Sequence, residues 1–236
     1  MQEIIEEDLG DGFIVCRSRQ HTFGTDAFLL AWFSRPRPRE IACDLGTGCG
    51  IIPMLWAKAA TPSEIWGVEI QADAAEQFER SIACSKPACR IVPVCADLRS
   101  LPGGMPFGKF HTVSCNPPYF AGDTGAQSRS TAGKLARHEV SCRIGDACAA
   151  AKKLLRFGGR FSVCMRPSRL ADTICAMREY QIEPKRIRFV CRESGQAPWL
   201  FLMEGRKGAR PSIRVEPAFC LYREGKPTPE FLEVYR

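Results

Sequence analysis

The sequence predicts an α/β fold built on a doubly wound, mostly parallel sheet. Two observations carry that prediction. From residue 41 onward, short β-branched runs alternate with stretches of helical periodicity, the pattern of a sheet covered by crossover helices on both faces. Three successive strand ends then carry an acid, at Asp44, Glu69 and Asp97, along the edge where such sheets bind ligands.

The elements follow in order. Residues 12–23 read as a β-hairpin leading into a helix whose N-cap is Thr25 or Asp26. Ile41–Leu45 is a buried strand, and Ile51–Ala60 a helix that tolerates Pro53 in its first turn. Glu64–Ile70 is the next strand, Ala72–Cys84 the next helix, and Arg90–Cys95 and Phe110–Cys115 two more strands. Val140–Arg156 reads as a long amphipathic helix closed by Gly158-Gly159 as a C-cap. Arg160–Met165 is a strand, Ser168–Tyr180 a helix, and Lys185–Cys191 and Trp199–Glu204 the final core strands. Ser212–Tyr222 reads as one further strand before a polar tail. At roughly 150 residues per domain, 236 residues suit a single domain. Residues 1–38 form its extension, 39–205 its core and 206–236 a basic strand and tail.

Composition excludes several classes. With 45% hydrophobic and 25% charged residues the chain is an ordinary globular protein. Thirteen cysteines is an odd number, no C-x-x-C occurs and only three histidines are present, so neither a disulfide scaffold nor a zinc ribbon is expected. The cysteines read as small apolar packing groups of a reducing cytoplasm, and no metal is expected. Residues 1–12 are acidic and lack the apolar stretch of a signal peptide, and no run of about 18 apolar residues would span a bilayer. A soluble cytoplasmic protein, a monomer by preference, is expected. The net charge of +7 is uneven: residues 1–120 hold 11 basic and 14 acidic side chains, leaving 22 and 12 for residues 121–236. A basic C-terminal half suits a polyanion such as nucleic acid, or is a solvated surface.

The first chemical motif is Asp44-Leu45-Gly46-Thr47-Gly48-Cys49-Gly50, at a strand end that opens a helix. A dinucleotide fingerprint would need Gly at position 51, which is Ile51. The spacing is G-x-G-x-G with an acid ahead of it, and a pyrophosphate at a helix N-terminus would be repelled by that carboxylate. An ammonium or sulfonium would be welcome there. Glu69 stands where a carboxylate grips ribose hydroxyls, and Asp97 where one accepts an adenine amine. The second motif is Asn116-Pro117-Pro118-Tyr119, followed by Phe120. Two prolines remove two N–H donors and leave carbonyls as acceptors, Asn116 adds another, and Tyr119 offers a face for a heterocycle. Such acceptors hold both hydrogens of a planar amine and turn its lone pair toward an electrophile, with no strong base needed.

Together these motifs resemble those of class I S-adenosylmethionine-dependent methyltransferases acting on exocyclic or amide nitrogen. With Phe23-Gly24-Thr25-Asp26-Ala27 and Ala136-Arg137-His138-Glu139 added, the chain is similar over nearly its whole length to the bacterial N6-adenine methyltransferases that modify an anticodon-loop adenine of a valine tRNA. The resemblance implies a Rossmann-like sheet with one antiparallel strand near the C-terminus, S-adenosyl-L-methionine as cofactor and tRNA as partner. It implies that Asp44, Gly46, Gly48 and Glu69 hold the methionine and ribose parts of the cofactor. Asp97 with Leu98 would hold its adenine, and Thr25 and Asp26 would lie near its carboxyl end. Asn116, Pro117 and Tyr119 would receive the target base.

Further residues carry two readings each. Residues 121–133 read as a mobile lid, with Arg137 and His138 just past it as substrate contacts; His138 reads first as a structural hydrogen-bonder. Pro118 and Phe120 would border the base. Lys185 and Arg188 lie on an alternating strand whose basic face either meets phosphates or water, as do Lys207 and Arg210 beside Arg206 and Arg214. Trp199, after Pro198, reads as core before it reads as a stacking platform. A protein glutamine-amide methyltransferase would also carry Pro-Pro-Tyr, but would have a long helical domain where only 43 residues precede Asp44. A nicotinamide-dependent oxidoreductase is disfavoured by the glycine spacing, and a non-catalytic RNA-binding module by the intact Asn-Pro-Pro-Tyr.

Overall fold

The computed structural model describes residues 3–60, 62–117 and 144–235. It begins with an antiparallel hairpin of β1 (Ile5–Gly10) and β2 (Phe13–Arg17). Asp11 and Gly12 close it with φ of 55° and 79°, the left-handed pair that a two-residue hairpin turn requires. The hairpin therefore lies earlier than residues 12–23; the Asp-Gly dipeptide was its true signal, masked by the acidic composition of β1. Residues 18–24 run irregularly to α1 (Thr25–Ser34). Its N-cap is Gly24, with no side-chain cap bond, rather than Thr25 or Asp26. Both side chains are engaged elsewhere: the Thr25 hydroxyl with Tyr235 Oη at 3.2 Å, and the Asp26 carboxylate in the site described below.

The helices and strands then alternate: β3 (Ile41–Leu45), α2 (Ile51–Ala59), β4 (Glu64–Glu69), α3 (Ala72–Cys84), β5 (Arg90–Cys95), β6 (Phe110–Cys115), α4 (Ile144–Leu154), β7 (Leu155–Met165), α5 (Leu170–Glu179), β8 (Ile182–Glu193) and β9 (Leu200–Lys207). After them come β10 (Arg214–Val215), β11 (Phe219–Arg223), β12 (Lys226–Pro227) and α6 (Pro229–Val234). The sheet order is β12-β11-β8-β9-β7-β6-β3-β4-β5, with β10 beside β8. Strands β5, β4, β3, β6 and β7 pair in parallel, and β9 runs antiparallel to both its neighbours, β7 and β8. This is the Rossmann-like, mostly parallel sheet expected, and β9 is its antiparallel strand; the two-residue β12 adds a second.

Three further expectations are corrected. Gly158-Gly159 does not cap a helix: β7 already starts at Leu155, opposite Phe110, while Arg160 faces Thr112, so the glycines lie in a bulge. A Cβ on Gly159 would meet the Phe110 and Arg156 carbonyl oxygens at 3.0 Å, which accounts for glycine there. Ser212–Tyr222 is not one strand, because Glu216-Pro217-Ala218 separates β10 from β11 and a proline cannot donate to a ladder. The polar tail is ordered as β12 and α6; Thr228 caps α6 by accepting from Phe231 N at 3.1 Å, and Phe231 and Val234 are buried. The predicted helix start at Val140–Arg143 and the loop 121–133 lie outside the described residues, as do Pro118, Tyr119, Phe120, Arg137 and His138.

Alternation along the strands fills two cores. Ala42, Cys164, Leu200 and Leu202 face α1 and α2, while Cys43, Leu45, Val163, Phe201 and Met203 face α4 and α5. Burying both faces of the sheet fixes its register, because a one-residue slip would exchange the two cores. The register in turn brings the ends of β6, β3, β4 and β5 to one edge. Among the described residues no helix is long and apolar enough to cross a membrane.

Candidate active site

That edge opens into a cavity of about 400 Å³. The glycine loop makes its floor. Gly46 N and Thr47 N donate to the Val68 carbonyl at 2.8 and 3.0 Å, hooking the end of β3 over β4. Gly46, Gly48 and Gly50 all have positive φ (69°, 57° and 86°), a path glycine follows without strain. The three glycines nevertheless serve two purposes. A Cβ on Gly46 or Gly48 would meet nothing within 4 Å, so those backbones are open to a ligand. A Cβ on Gly50 would lie 1.9 Å from the Phe78 ring, so Gly50 admits the packing of α3.

The acids come next. Glu69 is 5% exposed, and both its oxygens are held: Oε2 accepts from Gly48 N at 2.8 Å and Oε1 from Gln71 N at 2.9 Å. Asp44 is 1% exposed and accepts from the Ser114 hydroxyl, its direct partner across the β3–β6 pair. Burial pushes its carboxyl up to about 7, against the opposing pull of the Ser114 bond. Asp97 caps a short turn, accepting from Arg99 N at 2.8 Å and from the Arg99 guanidinium, which holds its carboxyl below the usual range. Asn116, just past β6, donates from Nδ2 to Asp26 Oδ2 at 2.8 Å. That bond spans α1 and the sheet and fixes which way the amide faces.

Of the residues singled out from sequence, the cavity brings together Asp26, Asp44, Gly46, Gly48, Glu69, Asp97, Leu98 and Asn116. Pro117 is buried behind Asn116 and, like Thr25, is not part of the lining. Sequence reasoning missed the wall made by Gln20, His21, Thr22 and Phe23. This strap is pinned to α3: His21 Nε2 bonds Asp73 Oδ2 at 2.8 Å, and Gln77 Nε2 donates to Ser18 Oγ at 3.3 Å. The hydrogen bond from His21 draws the Asp73 carboxyl below its usual range. In sequence the strap is marked only by Phe23 of the Phe23-Gly24-Thr25-Asp26-Ala27 motif, and the hairpin expected over residues 12–23 obscures the rest.

The basic residues singled out on β8, β9 and beyond lie apart from the cavity, and three of the four are engaged. Arg188 forks onto both Glu230 oxygens at 2.7 Å and stacks on Phe219, anchoring α6. Lys207 Nζ donates to the Lys152 and Leu155 carbonyls at 2.6 Å, and burial pushes its ammonium down. Lys185 donates to the Arg210 carbonyl at 3.1 Å and to Ser212, and the Arg210 side chain is exposed. The cysteines are mostly packing groups as expected, yet Cys16 and Cys84 bring their sulfurs to 4.0 Å beside Glu6, a cluster that linear spacing could not reveal.

No family model matches the chain. A tRNA1(Val) (adenine(37)-N6)-methyltransferase of Porphyromonas gingivalis is 30% identical over 192 residues, 78% of this chain and 73% of that protein. The protein of the same name in Photobacterium profundum is 24% identical over 215 residues, 90% of this chain and 88% of its own. In fold, the chain is similar to a predicted O-methyltransferase of Agrobacterium tumefaciens, with a TM-score of 0.72 at 22% identity over 89% of this chain and 95% of that one. A geranyl diphosphate methyltransferase gives a TM-score of 0.56 at 13% identity, covering 77% of each chain.

Proposed function

The chain belongs to the tRNA1(Val) (adenine(37)-N6)-methyltransferase family, and on that premise we propose that it transfers a methyl group from S-adenosylmethionine to the exocyclic N6 of an anticodon-loop adenine in a valine tRNA. It is an S-adenosylmethionine-dependent methyltransferase, placed by this reading in the cytoplasm where tRNA is modified.

The residues of the cavity fit that cofactor. Asp44 is a buried carboxyl pushed up to about 7, a group that a nearby ammonium or sulfonium would ionise and stabilise. Glu69 has both oxygens oriented by backbone amides, and Gly46 and Gly48 leave their backbones open, so Asp44, Gly46, Gly48 and Glu69 would hold the methionine and ribose parts. Leu98 offers apolar area and Asp97 a carboxylate for the adenine. When bound, S-adenosylmethionine supplies an electrophilic methyl group.

The chain itself supplies position and acceptors. Asp26 receives the Asn116 amide hydrogen, which turns the amide oxygen away from that carboxylate. Facing a target adenine, that oxygen accepts one N6 hydrogen and a carbonyl of the proline segment accepts the other, directing the nitrogen lone pair toward the cofactor. Pro117 keeps the segment free of a competing N–H donor. Tyr119 would stack on the base, and reaching it requires the adenine to leave its own stack. The single observation carrying this reading is the Asp26–Asn116 bond in the lining of the cavity. Asn116→Ala tests it: methyl transfer should fall by about 10²–10³-fold, the loss typical of one preorganised polar partner, with cofactor affinity by calorimetry nearly unchanged. Loss of cofactor binding in place of chemistry would contradict the role given to Asn116.

A further inference from the structure

Beyond β6 on the same edge, β7 and β8 end and β9 begins around a cluster that the cavity does not use. Arg166 follows β7, Arg192 lies near the end of β8, and Trp199 precedes β9. The Arg166 guanidinium carbon lies 5.4 Å from the Trp199 ring centroid and that of Arg192 5.1 Å from it. The tryptophan is held from both sides of the turn: its N donates to the Val190 carbonyl at 2.9 Å, and its own carbonyl accepts from Arg166 Nη1 at 3.3 Å. Gln196 N closes the turn on the Glu193 carbonyl at 3.1 Å. The indole thus gathers two cations at a fixed place.

That place is next to Asn116. Cys115 pairs with Val163, so Asn116 and Arg166 sit on neighbouring strands with Arg166 about two residues farther out. With strands about 4.8 Å apart and about 3.3 Å per residue, their backbones are on the order of 8 Å apart. Met165 pairs with Phe201 and Val190 with Leu200, which brings Trp199 and Arg192 to the same edge. The same strand shows what a structural arginine looks like: Arg186 pairs with Glu204 and Glu216, and Arg188 with Glu230. Arg192 is exposed and forms no ion pair among the described residues. A guanidinium lying against an aromatic face presents a planar edge of several N–H donors, a shape that matches two phosphate oxygens; Arg166 gives its Nη1 to the Trp199 carbonyl and has further donors in that edge.

We propose that Arg166 and Arg192, positioned by Trp199, clamp the backbone phosphates of the RNA strand that delivers the target adenine to Asn116. The clamp rests on the function proposed above and extends it to a named docking edge. It explains why the basic half of the chain adjoins the acidic cavity at this point: the strand is held where its base must turn inward.

The test uses the full chain and an unmodified transcript of a valine tRNA. Arg192→Glu and Arg166→Ala should each raise KM for the transcript about tenfold, the factor of one lost charge-assisted contact, with cofactor affinity unchanged. In binding titrations across roughly 50–200 mM salt, each should lower the slope of log affinity against log salt by about 0.7. Trp199→Phe should stay close to wild type and Trp199→Ala should match the arginine variants, separating positioning from bulk stability. Arg90→Ala, at the start of β5 and so at the opposite end of the sheet, should change nothing. Unaltered KM and salt slope in both arginine variants, with wild type active on the transcript, overturns the clamp alone. A wild type that forms no N6-methyladenosine overturns the proposed function, and the salt slopes then still decide whether this edge binds RNA.

Discussion

In residues 1–120 the acids Asp44, Glu69 and Asp97 come from three different strands and converge on one cavity. In the basic half several cations are engaged close by, Arg188 onto Glu230, Lys207 onto carbonyls at the end of α4 and Lys185 onto the Arg210 carbonyl, while others such as Arg192 and Arg210 are exposed. The fold concentrates charge at strand ends in both halves, the acids in the cavity and Arg166 with Arg192 around Trp199. The parallel register places the ends of β3, β4, β5 and β6 at the same edge, so acids at those strand ends meet, whereas cations along strand faces such as Arg188 and Lys207 find partners beside them. Net charge announces a partner; strand ends decide where it is met.

That contrast can be broken at its strongest point first. Asn116→Ala should remove methyl transfer almost completely, as described above. Glu69→Ala should weaken S-adenosylmethionine by roughly 10–100-fold in calorimetry, because the Gly48 and Gln71 amides lose a charged acceptor, while tRNA affinity stays constant. On the basic side, Arg188→Ala should lower the melting temperature, by about 1–2 kcal/mol of stability given that Glu230 is partly exposed, and leave the KM for tRNA alone. An increase in KM without loss of stability would return Arg188 to the RNA surface.

A finer comparison concerns Asp44. Its folded carboxyl titrates near 7, above the ordinary carboxylate range, so between about pH 4 and about pH 7 the folded state keeps a proton that the unfolded chain has released. This group therefore stabilises the fold less as pH rises through that window, and Asp44→Asn should flatten the fall in melts of the cofactor-free protein. A cationic ligand favours the ionised form, so wild-type cofactor affinity should rise as pH passes 7, and the Asn variant should not follow. The smallest effect is expected from Arg210→Glu, an exposed side chain, with a change in tRNA salt sensitivity and nothing in stability.

The cavity was legible because its chemistry is local in sequence. G-x-G-x-G, Glu69 and Asn116 each sit within a few residues of a strand end, and periodicity located those ends almost to the residue. What stayed hidden depends on partners far along the chain. No pattern at Asp26 announces a bond to a residue 90 positions on. The strap at residues 18–23 has no periodicity, yet it walls the cavity because Ser18 and His21 find Gln77 and Asp73 on α3. Arg188 reads in sequence either as a phosphate contact or as a solvated charge, since an alternating strand cannot reveal that α6 packs behind it. Gly158-Gly159 resembled a helix end because a bulge and a cap ask the same of the backbone.

The most direct measurement is to incubate the protein with labelled S-adenosylmethionine and, in separate reactions, total tRNA, ribosomal RNA and protein extract, then to hydrolyse the labelled product. N6-methyladenosine arising from one valine tRNA is the result predicted. Methylglutamine from protein, or label confined to ribosomal RNA, would contradict it.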